Sequence, residues 1–270
     1  MNDKKEALAT KLRSYGRLIV AFSGGTDSTL LLAVAVKTLG SANVVAVTAQ
    51  SETYTSSELT YASALAKNIG VEHVVLSTDE LTDEKFATND ALRCFYCKSH
   101  FYKDVRAFAE KRGMATIADG SNKDDEHDYR PGREGAKSYG VVSPLIEAGY
   151  TKVDVRAHSK ELGLSTWDKP ANPCLASRIP YGSRITKEKL SAVENAERFF
   201  RERGIQIVRV RHHGDVARIE MTSEDRKRFL SDEQMTREAN EHLKKSGFTY
   251  AAIDLEGYRT GSLNEAIGKK

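Results

Sequence analysis

Cysteine and proline are scarce in this chain of 270 residues, which has only three cysteines and five prolines. An odd and small number of cysteines argues against a disulfide framework and is typical of proteins from a reducing compartment. No apolar run approaches the roughly 18 to 20 residues that a membrane-spanning helix needs. The first 18 residues are charged throughout and lack the apolar core of a signal peptide. We therefore expect a cytoplasmic protein with no membrane partner.

A strong excess of charge of one sign is also lacking. The 41 Lys and Arg residues nearly balance the 38 Asp and Glu residues, so the net charge is +3. This balance argues against the chain-wide basic surface of a nucleic-acid coat protein, and we expect no nucleic-acid partner. Hydrophobic residues make up 40% and charged residues 29%, which is a globular composition. The length allows one large domain or two ordinary ones, each with its own core.

Strand and helix patterns alternate over the first 164 residues. Strands alternating with helices predict βαβ units and therefore a parallel α/β sheet. The predicted strands are 17–23, 43–50, 73–79, 115–122 and 141–145. The predicted helices include 27–39, 56–68 and 98–112.

The pattern changes after residue 164. Segment 169–184 holds three of the five prolines without periodicity, which predicts a loop. Two alternating runs surround Gly214-Asp215, which is a hairpin signal. We predict two domains, 1–164 and 165–270, of which the second is a smaller α+β domain. Its predicted helices are 187–203 and 232–245, and its predicted strands are 207–213, 216–221 and 248–255.

The strongest local motif reads Ser-Gly-Gly-Thr-Asp-Ser from residue 23, between a predicted buried strand and a predicted helix. Gly24 and Gly25 let the backbone approach a ligand, and the helix N-terminus favours an anion such as phosphate. Ser23 and Ser28 add hydroxyl donors. The carboxylate of Asp27 indicates an accompanying cation such as Mg²⁺. The alternative is a plain turn in which Asp27 or Ser28 caps the helix, but the full hexapeptide is specific enough to favour a phosphate site.

The three cysteines are Cys94 and Cys97, in a C-F-Y-C string, and Cys174. A redox pair would leave Cys174 unexplained, and structural zinc would need a fourth ligand such as His100 or His127. Three thiolates with one open position suit a [4Fe–4S] cluster that keeps one iron for an outside ligand. Each cysteine taken singly could also be a small buried hydrophobe. We favour the cluster.

Charged residues alternate with apolar ones along the predicted hairpin. Arg209 and Arg211 share one face of the first strand, and Arg218 and Glu220 share one face of the second. One interpretation is a solvated face with cross-strand ion pairs. The other is a cationic surface for a substrate that carries carboxylates and a phosphate, which guanidinium groups bind in a bidentate fork. The spacing alone does not decide between them.

The motif from residue 23 resembles the pyrophosphate loop of the adenine nucleotide α-hydrolase-like ATP pyrophosphatases. It lacks the G-K-[ST] ending of a Walker loop and the G-x-G-x-x-G of dinucleotide sites. The resemblance implies a Rossmann-like parallel sheet, cleavage of ATP between its α and β phosphates, and adenylation of a substrate oxygen. It also implies that the backbone near Ala21 and the strand end at 48–51, with Ser51, hold the adenosine.

Four further segments, 119–132, 174–182, 208–220 and 255–261, resemble the LarE family over nearly the whole chain. LarE proteins are ATP-dependent sulfur insertases. They convert pyridinium-3,5-biscarboxylic acid mononucleotide to its bisthiocarboxylic acid form, a step towards the nickel-pincer nucleotide cofactor. The resemblance implies ATP and Mg²⁺ as cofactors, a mononucleotide substrate, a sulfide donor and a homo-oligomer such as a hexamer.

The family contains two groups. One sacrifices the sulfur of a single cysteine, and the other holds a [4Fe–4S] cluster with three cysteines and delivers a sulfur bound to its open iron. This chain resembles the second group, because Pro173 stands where the sacrificial cysteine would align. Cys94, Cys97 and Cys174 would then be the metal ligands, and Cys174 with Asp27 would be catalytic.

The resemblance also implies a set of binding residues. Arg130 lies in a segment that approaches the nucleotide in the family. Glu197 and Glu220 match acidic positions suggested for a metal or the substrate, while His212 and His213 receive no role. The implied substrate-binding residues are Ser177, Arg178, Arg209, Arg211, Arg259, Glu197 and Glu220.

Two other functions are compatible with the same motifs. A tRNA thiolase could have this loop and cluster, and competition by tRNA would reveal it. A non-catalytic ATP-binding protein could have a zinc-stabilised loop, and it would release no pyrophosphate when ATP and substrate are added.

Overall fold

The computed structural model describes residues 1–126, 131–259 and 261–268. None of the helices in these ranges is long and apolar enough to span a membrane. The chain divides into two compact units. The first unit comprises Met1–Glu80 and Cys94–Asn172, and the second comprises Leu81–Arg93 and Pro173–Lys270. The second unit therefore takes a short segment from the middle of the chain, which the sequence analysis did not separate.

The helices and strands follow the alternation that the sequence predicts. In chain order, the strands of the described ranges are β1 (Leu18–Ala21), β2 (Val44–Gln50), β3 (Glu72–Ser77), β4 (Thr116–Ala118), β5 (Val208–His213), β6 (Val216–Met221) and β7 (Tyr250–Ile253). The helices are α1 (Asn2–Tyr15), α2 (Thr26–Leu39), α3 (Ser56–Ile69), α4 (Glu84–Ala87), α5 (Arg93–Lys111), α6 (Pro131–Lys137), α7 (Pro144–Glu147), α8 (Lys152–Glu161), α9 (Lys187–Glu202), α10 (Ser223–Ser231) and α11 (Glu233–Lys245).

The first unit is built on a parallel sheet. Its strand order is β3-β2-β1-β4, with β1 in the middle, and all pairs are parallel. Parallel strands need crossover connections, which the helices supply. Alternate residues of β1 point to opposite faces, so Leu18 and Val20 join one apolar cluster and Ile19 joins the other. The predicted α/β class is confirmed.

Side chains define where several helices begin. Thr55 and Glu58 form a capping box at the start of α3, and Thr151 and Asp154 form another at the start of α8. Each box satisfies backbone N–H groups that have no partner within the helix. The helix α2 differs, because its N-cap is Gly25 and no side chain caps it. Its first turn is therefore open to a ligand.

The second unit is an α+β unit with a mixed sheet, as the sequence predicts. β5 and β6 form the antiparallel hairpin around Gly214-Asp215, and β7 lies parallel to β6. The helix α9 packs on β5. Asn89, fully buried at φ 61°, donates from its amide to the carbonyls of Ile179, Pro180 and Ser183. This side chain ties segment 81–93 to the loop that follows Cys174.

Two predicted elements differ from the structure. The strand predicted at 141–145 is wrong, because Val142 forms only a single bridge and α7 begins at Pro144, whose fixed φ suits a first helical turn. The helix predicted from residue 98 begins at Arg93 instead. Both cysteines of the C-F-Y-C string therefore lie on α5.

Candidate functional site

The loop between β1 and α2 is held in shape by its own hydroxyl groups. The Oγ atoms of Ser23 and Ser28 are 3.1 Å apart, and the backbone N–H of Gly25 donates to Ser23 Oγ at 3.3 Å. Gly24 has φ +66°, and a Cβ added there would lie 3.2 Å from the Cα of Ala62. The position thus needs glycine for both conformation and space. The loop has the local geometry that an anion site requires.

Gly120 is a residue of this site that the sequence analysis missed. It follows β4, and a Cβ added to it would lie 2.7 Å from the backbone nitrogen of Ser28. Only glycine lets these two backbone segments approach so closely. The available signal was the D-G-S-N string directly after a predicted strand.

Asp27 stands in the first turn of α2 with two partners. Its Oδ1 accepts a hydrogen bond of 3.1 Å from Asn122 Nδ2, and its Oδ2 contacts the ammonium group of Lys152. The Asp27 side chain is 24% exposed. An oxygen ligand of this kind at an anion site fits Mg²⁺, as the sequence predicts.

A second lysine fixes the loop backbone. Lys169 Nζ donates to the carbonyl of Gly24 at 3.0 Å and lies 4.0 Å from the ring centroid of Tyr61. Burial lowers the pKa of Lys169 below its ordinary value. Close by in sequence, the carbonyl of Thr166 accepts a 2.9 Å hydrogen bond from Thr26 Oγ1. The segment 166–169 therefore fastens the loop, a role that its sequence does not reveal.

The residues expected near adenosine lie at the carboxyl ends of neighbouring strands. Ala21 ends β1 and pairs with Val47 of β2, and Ser51 follows β2. Ser51 Oγ donates to Glu80 Oε1 at 3.0 Å. In open α/β sheets, ligands bind at this edge. Arg130, the remaining predicted nucleotide contact, lies outside the described residues.

Glu80 is a second functional candidate that the sequence did not indicate. It is 3% exposed, accepts from Thr78 Oγ1 at 3.0 Å, and accepts from Cys97 Sγ at 3.5 Å. No basic side chain of the described ranges pairs with this carboxylate. Glu80 thus joins the Ser51 hydroxyl to the Cys97 thiol through one buried acceptor.

The cysteines are divided between the two units. Cys94 is exposed and Cys97 is half-buried, one turn apart near the start of α5 in the first unit, while Cys174 is half-buried in the second. All three carry thiols and none is in a disulfide. Over the described ranges, no group of three or more His, Cys, Asp or Glu side chains is arranged to hold a metal ion.

Arg178 links the loop of Cys174 to the interior of the second unit. Its side chain is 1% exposed and makes a bidentate ion pair with Glu197, at 2.7 Å from Nε and 2.9 Å from Nη2. Its Nη1 donates to the carbonyl of Cys174 at 3.1 Å and to Ser177 Oγ at 2.9 Å. The backbone of Cys174 is therefore held by a buried charge.

Glu197, on α9, is fully buried among positive groups. Besides Arg178 it contacts Arg201 and accepts from the backbone N–H of Val210 at 3.0 Å. Burial alone would raise the pKa of Glu197, but the charge and hydrogen bonds of Arg178 hold it below its ordinary value. Glu197 is an ionised partner of the arginines around it.

The arginines of β5 are buried, so the face is not solvated, although the cross-strand ion pairing of that interpretation is present between Arg211 and Glu220. Arg209 is 4% exposed and its guanidinium lies 5.3 Å from the Tyr258 ring centroid. Burial, followed by the charge of Arg178, lowers the pKa of Arg209 to about 10. Arg211 is 6% exposed and pairs with Glu220 at 2.7 Å.

Arg211 also connects three parts of the second unit. It donates to the Ser177 carbonyl at 2.9 Å and to Ser262 Oγ at 2.8 Å, whereas its Nε has no partner among the described residues. Arg218 pairs with Glu220 at 3.0 Å and with Asp254. The resulting arginine cluster comprises Arg178, Arg201, Arg209, Arg211 and Arg218 with Glu197, Glu220 and Asp254. Five guanidinium groups against three carboxylates give it a positive excess.

Arg259 stands at the edge of this cluster in an acidic setting. Its guanidinium lies 3.4 Å from Asp254, 2.7 Å from Glu256 and 3.1 Å from Glu265. The hydrogen bond to Glu265 is the main cause that raises the pKa of Arg259. Arg259 is linked to the arginine cluster through Asp254, which also pairs with Arg218. The other predicted substrate residues come together, namely Ser177, Arg178, Arg209, Arg211, Glu197 and Glu220.

The parallel sheet and the uncapped glycine loop of the first unit define a nucleotide-binding domain of the ATP-pyrophosphatase type. In agreement, residues 5–101 match the family model described as asparagine synthase.

The chain also resembles proteins of its own length. It is 40% identical over 266 residues to the pyridinium-3,5-bisthiocarboxylic acid mononucleotide synthase of Lactiplantibacillus plantarum, covering 98% of this chain and 95% of that protein. It is 41% identical over 269 residues to an uncharacterized protein of Synechocystis sp., with full coverage of both chains. A protein of Methanocaldococcus jannaschii, also uncharacterized, is 27% identical over 259 residues, covering 96% and 95%. The chain belongs to the LarE family.

Proposed function

We propose that this protein adenylates pyridinium-3,5-biscarboxylic acid mononucleotide with ATP and inserts sulfur to give the thiocarboxylate, in the synthesis of the nickel-pincer nucleotide cofactor. The chain is an ATP-dependent sulfurtransferase by its family and its nucleotide-binding domain. One observation carries the substrate assignment. Cys174 is held by Arg178 within the same unit as the buried, positively charged arginine cluster.

The first step takes place on the loop of the first unit. A carboxylate oxygen of the substrate attacks the α-phosphorus of ATP, and the bond to the β-phosphate oxygen breaks. The products are an acyl-adenylate and pyrophosphate. The backbone N–H groups at the start of α2 and the hydroxyls of Ser23 and Ser28 bind phosphate oxygens, and Asp27 would hold Mg²⁺. When bound, the metal would supply positive charge against the charge that develops on the leaving group.

The arginine cluster of the second unit binds the substrate's anionic groups. Arg209 and Arg211 take its phosphate and a carboxylate, because planar guanidinium groups bind both in a bidentate manner. Burial and the charge of Arg178 lower the pKa of Arg209, and the charge of a bound anion would offset both effects. Glu197 and Glu220 orient the arginines and keep them apart.

We propose Cys94, Cys97 and Cys174 as the ligands of a [4Fe–4S] cluster. The donor chemistry fits, since three thiols are present and two of them lie one helical turn apart. When bound, the cluster would supply the sulfur that displaces AMP from the activated carboxyl. The described residues contain no assembled group of three such ligands, so the proposal rests on this donor set and on the three-cysteine pattern of the sequence.

Anaerobic purification followed by iron, sulfide and zinc analysis tests the cluster. We expect about four irons per chain for a [4Fe–4S] centre. Zinc without iron would contradict the cluster and support a structural metal. Mass spectrometry after several turnovers decides the sulfur source, because an intact Cys174 supports the cluster and dehydroalanine at that position shows a sacrificed cysteine.

Incubation with ATP and the mononucleotide tests the function itself. We expect pyrophosphate, AMP and a product in which sulfur has replaced oxygen. Pyrophosphate release without any sulfur-containing product would restrict the protein to adenylation. We further propose a cytoplasmic homo-oligomer with an external sulfide donor. Light scattering of the purified protein would measure the oligomeric state.

A further inference from the structure

Two ammonium groups bond to the nucleotide loop of the first unit, and they differ in how firmly they are held. Lys169 is fixed between the carbonyl of Gly24 and the ring of Tyr61. Lys152 has a 38% exposed side chain, and its ammonium group pairs with Asp27 and with no other acceptor among the described residues. The loop motif lacks the lysine that Walker loops use against the terminal phosphates. A lysine from elsewhere in the fold can take its place.

The backbone of Lys152 is fixed although its side chain is exposed. Lys152 is the first residue of α8, after the capping box of Thr151 and Asp154. Its N–H donates to Asp124 Oδ2 at 2.8 Å. The ammonium group therefore sits on a flexible four-carbon stem with an anchored base, so it can change partner without movement of the helix.

Asp27 does not depend on Lys152 for its position. Asn122, which is 3% exposed, donates to the other carboxylate oxygen at 3.1 Å. The backbone N–H of Asn122 in turn donates to Asp125 at 2.9 Å. The Lys152 ammonium is thus the replaceable partner of Asp27.

We propose that Lys152 is a triphosphate-binding residue that pairs with Asp27 only while nucleotide is absent. This inference rests on the proposed ATP-dependent function. Without nucleotide, the ammonium group of Lys152 compensates the charge of Asp27, which also interacts favourably with the positive end of α2. When Mg–ATP binds, Asp27 would hold the metal, and the ammonium group of Lys152 turns to the β- and γ-phosphate oxygens. There it stabilises the negative charge that the leaving pyrophosphate gains.

The alternative is a purely structural ion pair at a partly exposed position. The two cases differ in which ligand they affect. A structural pair would change stability and leave nucleotide affinities alone. A triphosphate-binding lysine would affect ligands that carry β- and γ-phosphates and spare AMP, which lacks them.

The test is calorimetric titration of wild type, Lys152→Met and Lys152→Arg with α,β-methylene-ATP plus Mg²⁺, and separately with AMP. The control is Lys4→Met, which removes a 2.5 Å ion pair to Asp154 on the same helix at a similar exposure of 36%. We expect Lys152→Met to lower the affinity for the triphosphate analogue about 10- to 100-fold, the range for loss of one charged hydrogen bond. AMP affinity should change less than about twofold, Lys152→Arg should recover most of the loss, and Lys4→Met should match wild type.

Equal affinity of wild type and Lys152→Met for the analogue would overturn the proposal. An equal loss for the analogue and for AMP would do so too. If wild type binds neither ligand, the assignment of the nucleotide site is refuted, and the proposed role of Lys152 is refuted with it. If binding follows the expectation but no thiocarboxylate forms, the role of Lys152 stands and the proposed sulfur transfer fails.

Discussion

The two candidate sites of this protein consist of different chemical groups. The loop of the first unit consists of backbone groups and hydroxyls, and its charged partners are Lys169 and the pair of Asp27 and Lys152, whose side chains are 24% and 38% exposed. Most of the charged side chains in the arginine cluster of the second unit are only 0% to 6% exposed, namely those of Arg178, Arg209, Arg211, Glu197 and Glu220. Partly exposed ion pairs add little to stability, whereas breaking a buried pair leaves a charge without compensation. In the first unit chemistry should therefore be separable from stability, and in the second it should not.

Removal of the Asp27 charge should have the largest effect on activity and little on folding. Asp27→Asn keeps a partner for Asn122 but loses the proposed metal ligand. Since a catalytic metal contributes several kcal/mol, we expect AMP formation to fall about a thousandfold or more. Pyrophosphate release and the melting temperature measure the two effects. Normal release by this variant would remove Asp27 from the chemistry.

Loss of Arg178 should have the largest effect on stability. Arg178→Ala leaves Glu197 buried with one partner fewer, and breaking a buried pair costs about 3–5 kcal/mol. The control is Arg184→Ala, since Arg184 pairs with Glu84 at side-chain exposures of 53% and 73%. Its loss should cost less than about 1 kcal/mol. Urea unfolding measures both, and equal values would abolish the contrast between the two sites.

The same difference explains what the sequence could predict. The nucleotide loop is continuous, so the glycines and Asp27 were recognisable as a motif together with the strand and helix around them. The burial of Arg209 and Arg211 was not recognisable, because alternation along a strand cannot tell a solvated face from one covered by distant segments. Arg209 lies against Tyr258, and Arg211 bonds to Ser177 and Ser262. Lys152 and Lys169 reach the loop from distant segments, and no spacing rule connects them to Asp27.

Substitution of the β5 arginines should weaken binding of the mononucleotide and leave binding of ATP unchanged, which would separate the two candidate sites. Arg209→Ala and Arg211→Ala should each reduce the binding free energy of the mononucleotide by about 1.5–3 kcal/mol, the contribution of one charged hydrogen bond. ATP affinity should stay unchanged, because the loop belongs to the first unit. Arg228→Ala is a suitable control, since Arg228 is 50% exposed and pairs with Asp225 at 3.4 Å. Weaker ATP binding in the β5 variants would show that these arginines belong to the nucleotide site.

The smallest expected effect is a loss of stability in acid, caused by protonation of Asp154 in the first unit. Asp154 accepts from Lys4 Nζ at 2.5 Å and from the N–H and hydroxyl of Thr151 at 2.9 and 2.7 Å. Burial raises the pKa of Asp154, but these donors outweigh it and lower the pKa to about 2, against an ordinary value of 3.8. The folded pKa is the lower one, so the stabilisation is complete above pH 4 and is lost as the pH falls towards 2.

The size of this acid effect follows from the same shift. At about 1.4 kcal/mol per pKa unit the full shift is an upper bound of about 2 kcal/mol, and solvent screening of the 36% exposed Lys4 reduces it to about 1 kcal/mol. Urea unfolding of wild type and Asp154→Asn at pH 5 and pH 3 measures it. The variant should be less stable at pH 5, and this deficit should shrink at pH 3. A deficit that stays constant between the two pH values would show that Asp154 stabilises α8 through neutral hydrogen bonds alone, and that the charge of the Lys4 pair contributes nothing.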